Sequence, residues 1–271
     1  MRLVVIGHVE WVEFARVPEL PRPGEIVHAT ETWEEAAGGG AVAAVQLAKL
    51  AGDATLFTAL GEDELGERSL RQLRGQGVRA HAARPESPTR RAFSHVDEGG
   101  ERTITVLGTK LLPRLSHSLA WEELERADGV YFVSGDTELL RSARRARVLV
   151  ATARELPTVV EAGIELDALV GSANDVGETF KPGDVDPPPK LAVWTAGAAG
   201  GWSNPGGPFS AAPLPGPVED AYGCGDAFAA GLTFALARGD EPRDAIALAA
   251  RCGAAALTGR GGYAGQLRLG G

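Results

Sequence analysis

Short apolar runs of strand length recur along this chain, separated by segments of helical period, and that alternation constrains the fold more than any other feature. The runs lie at residues 3–6, 55–58, 129–133, 148–150, 168–170 and 191–194, and the helical segments at 41–50, 65–74, 119–126 and 137–145. Strands apolar along their whole length, alternating with helices, predict a parallel sheet covered on both faces. With 271 residues, the chain is expected to form one such α/β domain over 1–271.

Two regions break the rhythm. Residues 24–33 and 89–107 carry β-type alternation, and the second contains the turn Asp97-Glu98-Gly99-Gly100, which predicts a hairpin. Together they predict a small accessory sheet placed as a lid. Near the C-terminus, helical patterns at 225–238 and 242–257 flank Gly239-Asp240-Glu241, with Pro242 suited to a first helical turn. The proline-rich stretch 183–189 reads as a surface connection.

Charge and cysteine usage remove several classes. There are 27 basic against 36 acidic residues, a net charge of −9, which disfavours a sequence-independent grip on nucleic-acid phosphates. No apolar stretch reaches the roughly 18 residues of a membrane span. The opening run is too short for a secretory signal. With only Cys224 and Cys252, no disulfide framework is expected, and the reading is a cytoplasmic protein.

The stretch richest in chemistry is Asp220-Ala221-Tyr222-Gly223-Cys224-Gly225-Asp226-Ala227. Glycines on either side of Cys224 precede a long helical pattern, so backbone amides can converge on an anion at a helix N-terminus. Asp226 falls in the first turn, where it can accept a proton from a hydroxyl attacking a phosphoryl group, or serve only as a capping acid. The N-terminal position can lower the Cys224 thiol. Gly38-Gly39-Gly40 permits close ligand approach, and Gly38-x-Gly40-x-x-Ala43 formally satisfies a dinucleotide fingerprint. That fingerprint needs a buried strand before it, which Trp33-Glu34-Glu35-Ala36-Ala37 does not resemble. No lysine stands in a Walker-type loop.

The Gly223-Cys224-Gly225-Asp226 segment resembles the second signature of the ribokinase-like (PfkB) carbohydrate kinases. The resemblance extends over nearly the whole chain, through Leu60-Gly61-Glu62-Asp63-Glu64-Leu65-Gly66, Gly99-Gly100-Glu101-Arg102-Thr103 and Thr195-Ala196-Gly197-Ala198-Ala199-Gly200. It implies a Rossmann-like three-layer α/β sandwich with a small β-sheet lid. The implied activity is transfer of the ATP γ-phosphoryl group to an alcohol of a small sugar, sugar derivative or nucleoside, with Mg2+ and a monovalent cation such as K+. Asp226 would be the base and Gly223, Cys224 and Gly225 the anion hole. Thr195, Gly197, Gly200 and Asn174 would hold nucleotide, and Asp220, with residues 259–262, the monovalent cation. A homodimer through the lid is expected because exposed β edges invite pairing.

The chain also departs from that pattern. Where such kinases carry sugar-binding Asn and Asp after the first strand, it has Gly7-His8-Val9-Glu10-Trp11-Val12, and the usual Lys and Asn are absent after Gly38 and Gly39. Glu10, with Gly38, Gly39 and Gly40, is the expected acceptor site, and His8, Trp11 and Glu13 are further candidates. The magnesium motif shifts to Asn174-Asp175-Val176-Gly177-Glu178, leaving Glu178 as the acid acting through water. These losses imply an acceptor other than ribose. They also keep in view a non-catalytic nucleotide- or metabolite-binding regulator on the same fold.

Overall fold

The computed structural model describes residues 1–269. Its large sheet begins with β1 (Leu3–Ile6), β4 (Ala54–Ala59) and β5 (Val78–Ala83). It continues with β8 (Gly129–Phe132), β9 (Val148–Thr152), β10 (Ala168–Ser172), β11 (Leu191–Thr195), β12 (Gly201–Asn204) and β13 (Gly207–Phe209). The order is β13-β12-β11-β10-β9-β8-β1-β4-β5, parallel from β11 to β5 and antiparallel at β12 and β13.

Alternate residues of β1 serve opposite faces, as strand geometry demands. Leu3 and Val5 join the core shared with α1 (Gly39–Ala51), α5 (Cys224–Arg238) and α6 (Pro242–Ala256). Val4 and Ile6 join the core shared with α3 (Thr137–Ala143) and α4 (Leu156–Ala162). That arrangement is the predicted three-layer sandwich. The helix α2 (Glu64–Gly75) is N-capped by Asp63, which accepts from the Gly66 amide at 2.8 Å. Pro242 occupies the first turn of α6.

The second sheet has four strands in the order β3-β2-β6-β7: β3 (Glu31–Ala37), β2 (Glu10–Arg16), β6 (Arg91–Val96) and β7 (Arg102–Leu107). Its boundaries differ from the sequence expectation. Residues 24–30 form no strand, and the pairing begins at Glu31. The central strand β2 carries no strand signature in the sequence, because Glu10–Arg16 is buried at most positions and lacks a polar/apolar alternation. The strand β3 does precede Gly38, but its outer half alternates between partly buried and exposed and it pairs in the small sheet, so the dinucleotide fingerprint has no core strand behind it. The helix expected at 119–126 is a 3-10 turn, Trp121–Arg126. The strand β5, the short strands β12 and β13 and the helix α4 lie outside the apolar runs and helical periods of the sequence.

Candidate active site

Strand order reverses between β1 and β8, which pair side by side and lead to connections running in opposite directions. In open α/β sheets such a reversal leaves a crevice beyond the carboxyl ends of the strands. His8 follows β1 and Ser134 follows β8, and they meet there: the His8 amide donates to Ser134 Oγ at 2.9 Å. The N-terminus of α1 closes one side, with the Gly40 amide donating to the His8 carbonyl at 3.1 Å.

Asp226 enters this crevice from the first turn of α5. Its carboxylate lies against Gly39, where a Cβ would fall 2.7 Å from Oδ1 and 2.8 Å from Val133. The glycine therefore makes room for the acid. Burial, and after it the negative charge of Glu178, push the Asp226 carboxyl up to about 7, with Arg102 and Arg154 opposing. At the start of α5, Gly223 has φ +75° and supplies no side-chain cap, so the first-turn amides have no partner within the helix. Burial raises the Cys224 thiol, overriding the lowering expected from the helix N-terminus.

The wall opposite is built from His8 and Glu10. The Gly38 α-carbon packs under both, with a Cβ there 3.1 Å from His8 and 3.2 Å from Glu10. Glu10 is buried and pairs with Arg90 at 3.1 Å. Burial raises its carboxyl, against Arg90, Lys110 and the Tyr222 hydroxyl. Burial, then Lys110, Arg90 and Arg154, hold the His8 imidazole well below its ordinary value, so the ring is neutral. Arg90 and Lys110 stand just before β6 and shortly after β7, so each linker to that hairpin carries a cation. Trp11 and Glu13 take no part. Trp11 is buried under Arg68, 4.2 Å from its ring centroid, and Glu13 pairs with Arg91 in the small sheet.

On the nucleotide side, Thr195 ends β11 and Gly197 begins an exposed turn at φ +58°. A Cβ on Gly197 would lie 3.7 Å from Asn174 Nδ2, so these two predicted positions are neighbours. Gly200 is different: it is buried, and a Cβ would sit 2.0 Å from the Phe209 carbonyl oxygen. Its glycine serves the packing of β12 and β13. Arg154, which no sequence motif marked, donates to Glu178 Oε1 at 2.7 Å and to Asp175 Oδ2 at 2.6 Å. It holds the acidic turn in place, and the Glu178 charge contributes to raising the Asp226 carboxyl.

Asp220 is fully buried beneath the anion-hole turn. Its two oxygens accept from the Tyr222 amide at 2.9 Å and the Gly261 amide at 3.0 Å. The Tyr222 hydroxyl in turn accepts from the Gly38 amide at 3.0 Å, tying that turn to the start of α1. The hairpin between β6 and β7 touches the same segment, since the Ala221 amide donates to the Gly100 carbonyl at 2.9 Å. Among the described residues, no cluster of three or more His, Cys, Asp or Glu side chains could hold a metal ion, and no helix is long and apolar enough to cross a membrane.

An acid beside an uncapped helix N-terminus, at the switch point of a parallel sandwich, is an arrangement able to bind an anion and accept a proton. Comparison with known proteins supplies the class. The pfkB family of carbohydrate kinases matches residues 1–156 and 141–267, and the chain belongs to that family, whose members phosphorylate alcohol groups. It is 30% identical to a ribokinase of Dictyostelium discoideum over 108 residues, a stretch spanning 39% of this chain and 34% of that protein. The ribokinase structure from Thermotoga maritima superposes with a TM-score of 0.76 at 19% identity, over 99% of this chain and 96% of the other. Phosphofructokinase-2 from Escherichia coli, in complex with potassium, gives 0.72 at 18% identity, over 97% and 94%.

Proposed function

We propose that this chain transfers the γ-phosphoryl group of ATP to an alcohol group of a small sugar, sugar derivative or nucleoside. The observation that carries the reading is the position of Asp226, pressed against Gly39 beside the uncapped N-terminus of α5. An acid there can take the proton of an incoming hydroxyl, and the amides of Gly223, Cys224 and Gly225 can stabilise charge on the transferred group. Gly38, Gly39 and Gly40 let the acceptor approach the backbone. Glu10 accepts from acceptor hydroxyls while Arg90 compensates its charge.

The residues present fit a magnesium nucleotide. Arg154 engages Oε1 of Glu178, with no ion pair or hydrogen bond to Oε2 among the described residues, and the Glu178 charge acts on Asp226. Glu178 would hold the ion through water, with Asn174, Thr195 and the Gly197–Ala199 turn near the nucleotide. The ion supplies charge neutralisation on the phosphate oxygens.

ADP release with ATP and magnesium, measured against sugars, sugar phosphates, polyols and nucleosides, tests the assignment. A hit abolished in Asp226→Asn is the expected result. Failure to bind ATP in calorimetry overturns it.

A second copy of the chain pairs along β7. That strand is exposed at all six positions, and Ile104, Val106 and Leu107 each stand about two-fifths exposed. Sedimentation equilibrium should show a dimer, and a monomer mass at every concentration refutes the pairing.

A further inference from the structure

The acceptor wall combines one carboxylate with two cations. Val12, at the place of the Asp with which such kinases bond sugar hydroxyls, is buried and apolar, so Glu10 is the acid that remains. Arg90 stands one residue before β6 and Lys110 three after β7, so the two linkers of that hairpin bring the cations to the wall. Each is held by an acid that engages only part of it. Glu10 Oε2 lies 3.1 Å from Arg90 Nε, and neither atom has a hydrogen-bond partner. Among the described residues no hydrogen bond engages Nη1 or Nη2 of Arg90, whose side chain is 15% exposed. A guanidinium carries five N–H donors in a planar fork that matches a carboxylate or a phosphate.

Lys110 donates to Glu155 Oε1 at 2.7 Å, which uses one of its three N–H groups. Glu155 is fixed in the Ala153–Glu155 turn after β9, where Thr158 Oγ1 donates to its other oxygen at 3.4 Å. Between the two cations lies His8, with ring Nδ1 3.2 Å from Ser134 Oγ. The charges acting on that ring, Lys110, Arg90 and Arg154, are all positive. Glu10 feels the same two linker cations and itself acts on Asp226, so this wall and the base face one crevice.

We propose that Arg90 and Lys110 select an anionic acceptor, a small sugar derivative carrying a carboxylate or a phosphate monoester, which they hold across His8 while Glu10 takes one of its hydroxyls. The inference rests on the kinase reading and narrows its acceptor. Glu10 and Glu155 orient the two cations, and the N–H groups they leave free are the ones that meet the ligand. An anion there gains charge-assisted hydrogen bonds, whereas a neutral sugar leaves those donors without a charge to meet.

The test measures kcat and KM of the full chain, with ATP and magnesium, for aldoses, the matching aldonates and the matching aldose phosphates. One anionic set is expected to exceed its neutral counterpart in kcat/KM by at least roughly 10²-fold, and which set does so separates carboxylate from phosphate. Arg90→Gln and Lys110→Met should each raise KM for that acceptor by roughly tenfold more than for its neutral counterpart. Arg90→Lys keeps a charge beside Glu10 and should retain a preference that Arg90→Gln loses, which guards against a variant that merely folds poorly. Neutral sugars phosphorylated best, or variants that weaken charged and neutral acceptors alike, overturn the proposal and leave the kinase reading standing. Calorimetry without ATP separates the two in the other direction. An aldonate or sugar phosphate that binds the wild type and not Lys110→Met supports the anion site even where no acceptor is phosphorylated, and that silence counts against the kinase reading alone.

Discussion

The turns at Gly200 and Gly223 look alike in sequence, each a glycine with a second glycine one or two residues on, yet they do different work. Both have positive φ, +84° and +75°. At Gly200 the near neighbour is the chain's own backbone, the Phe209 carbonyl and the Ala211 amide. At Gly223 it is a side chain of another helix, Val42 of α1, at 2.7 Å from a Cβ. The first turn closes a strand connection on itself, and the second seats one helix against another while leaving first-turn amides open. A glycine marks close approach, and only the identity of what approaches separates packing from chemistry.

Substitutions sharpen that contrast. The largest effect on turnover is expected from Asp226→Asn, a loss of at least roughly 10²-fold with ATP binding retained in calorimetry, as for a positioned base removed. Gly223→Ala should follow, at roughly tenfold or more, because a Cβ both strains a left-handed residue and pushes Val42, shifting the anion hole. Near-normal turnover in Gly223→Ala would erase the distinction between the two turns.

Acidity gives the next effect. A base whose carboxyl is pushed up to about 7 is protonated below that pH, so turnover should fall about tenfold per pH unit under pH 7. The stability sign is opposite. The folded carboxyl holds its proton more tightly than the unfolded one at its ordinary 3.8, so its contribution favours the fold at low pH and is lost as pH rises from about 4 through 7. Asp226→Asn should accordingly melt higher than the wild type at pH 8, and an equal or lower melting point there contradicts the raised carboxyl.

On the acceptor wall, Glu10→Gln should raise the acceptor KM by about tenfold with a smaller change in turnover, consistent with lost hydrogen bonding to a hydroxyl. An unchanged KM would move the acceptor off that wall. The smallest effect on turnover belongs to Gly200→Ala. Its folded fraction should turn over within about twofold of wild type, while melting falls by roughly 4–10 °C for a backbone clash. Lost turnover at unchanged melting would make the two turns equivalent.

Much of this site was legible before any tertiary contact was known. The sequence by itself determined the alternation that makes a parallel sandwich, since apolar runs too uniform for a half-exposed sheet must be covered on both faces. It also singled out Asp226 and its flanking glycines as candidates, through their resemblance to a kinase signature rather than through helix-start geometry, which a capping acid would satisfy equally. What it could not determine is which groups surround them. Arg154, Arg90 and Lys110 stand in no motif and are surface arginine and lysine by composition. Glu35 reads as one more acid in a polar strand, and β2 carries no periodicity because its residues are buried at most positions. Those assignments depend on segments far apart in the chain meeting at one end of a sheet: Gly39 against Asp226, Gly197 beside Asn174, Glu35 over Gly261. Local pattern encodes burial and backbone shape, whereas charge pairing and close approach are set by the partner across the crevice, and only the tertiary structure decided them.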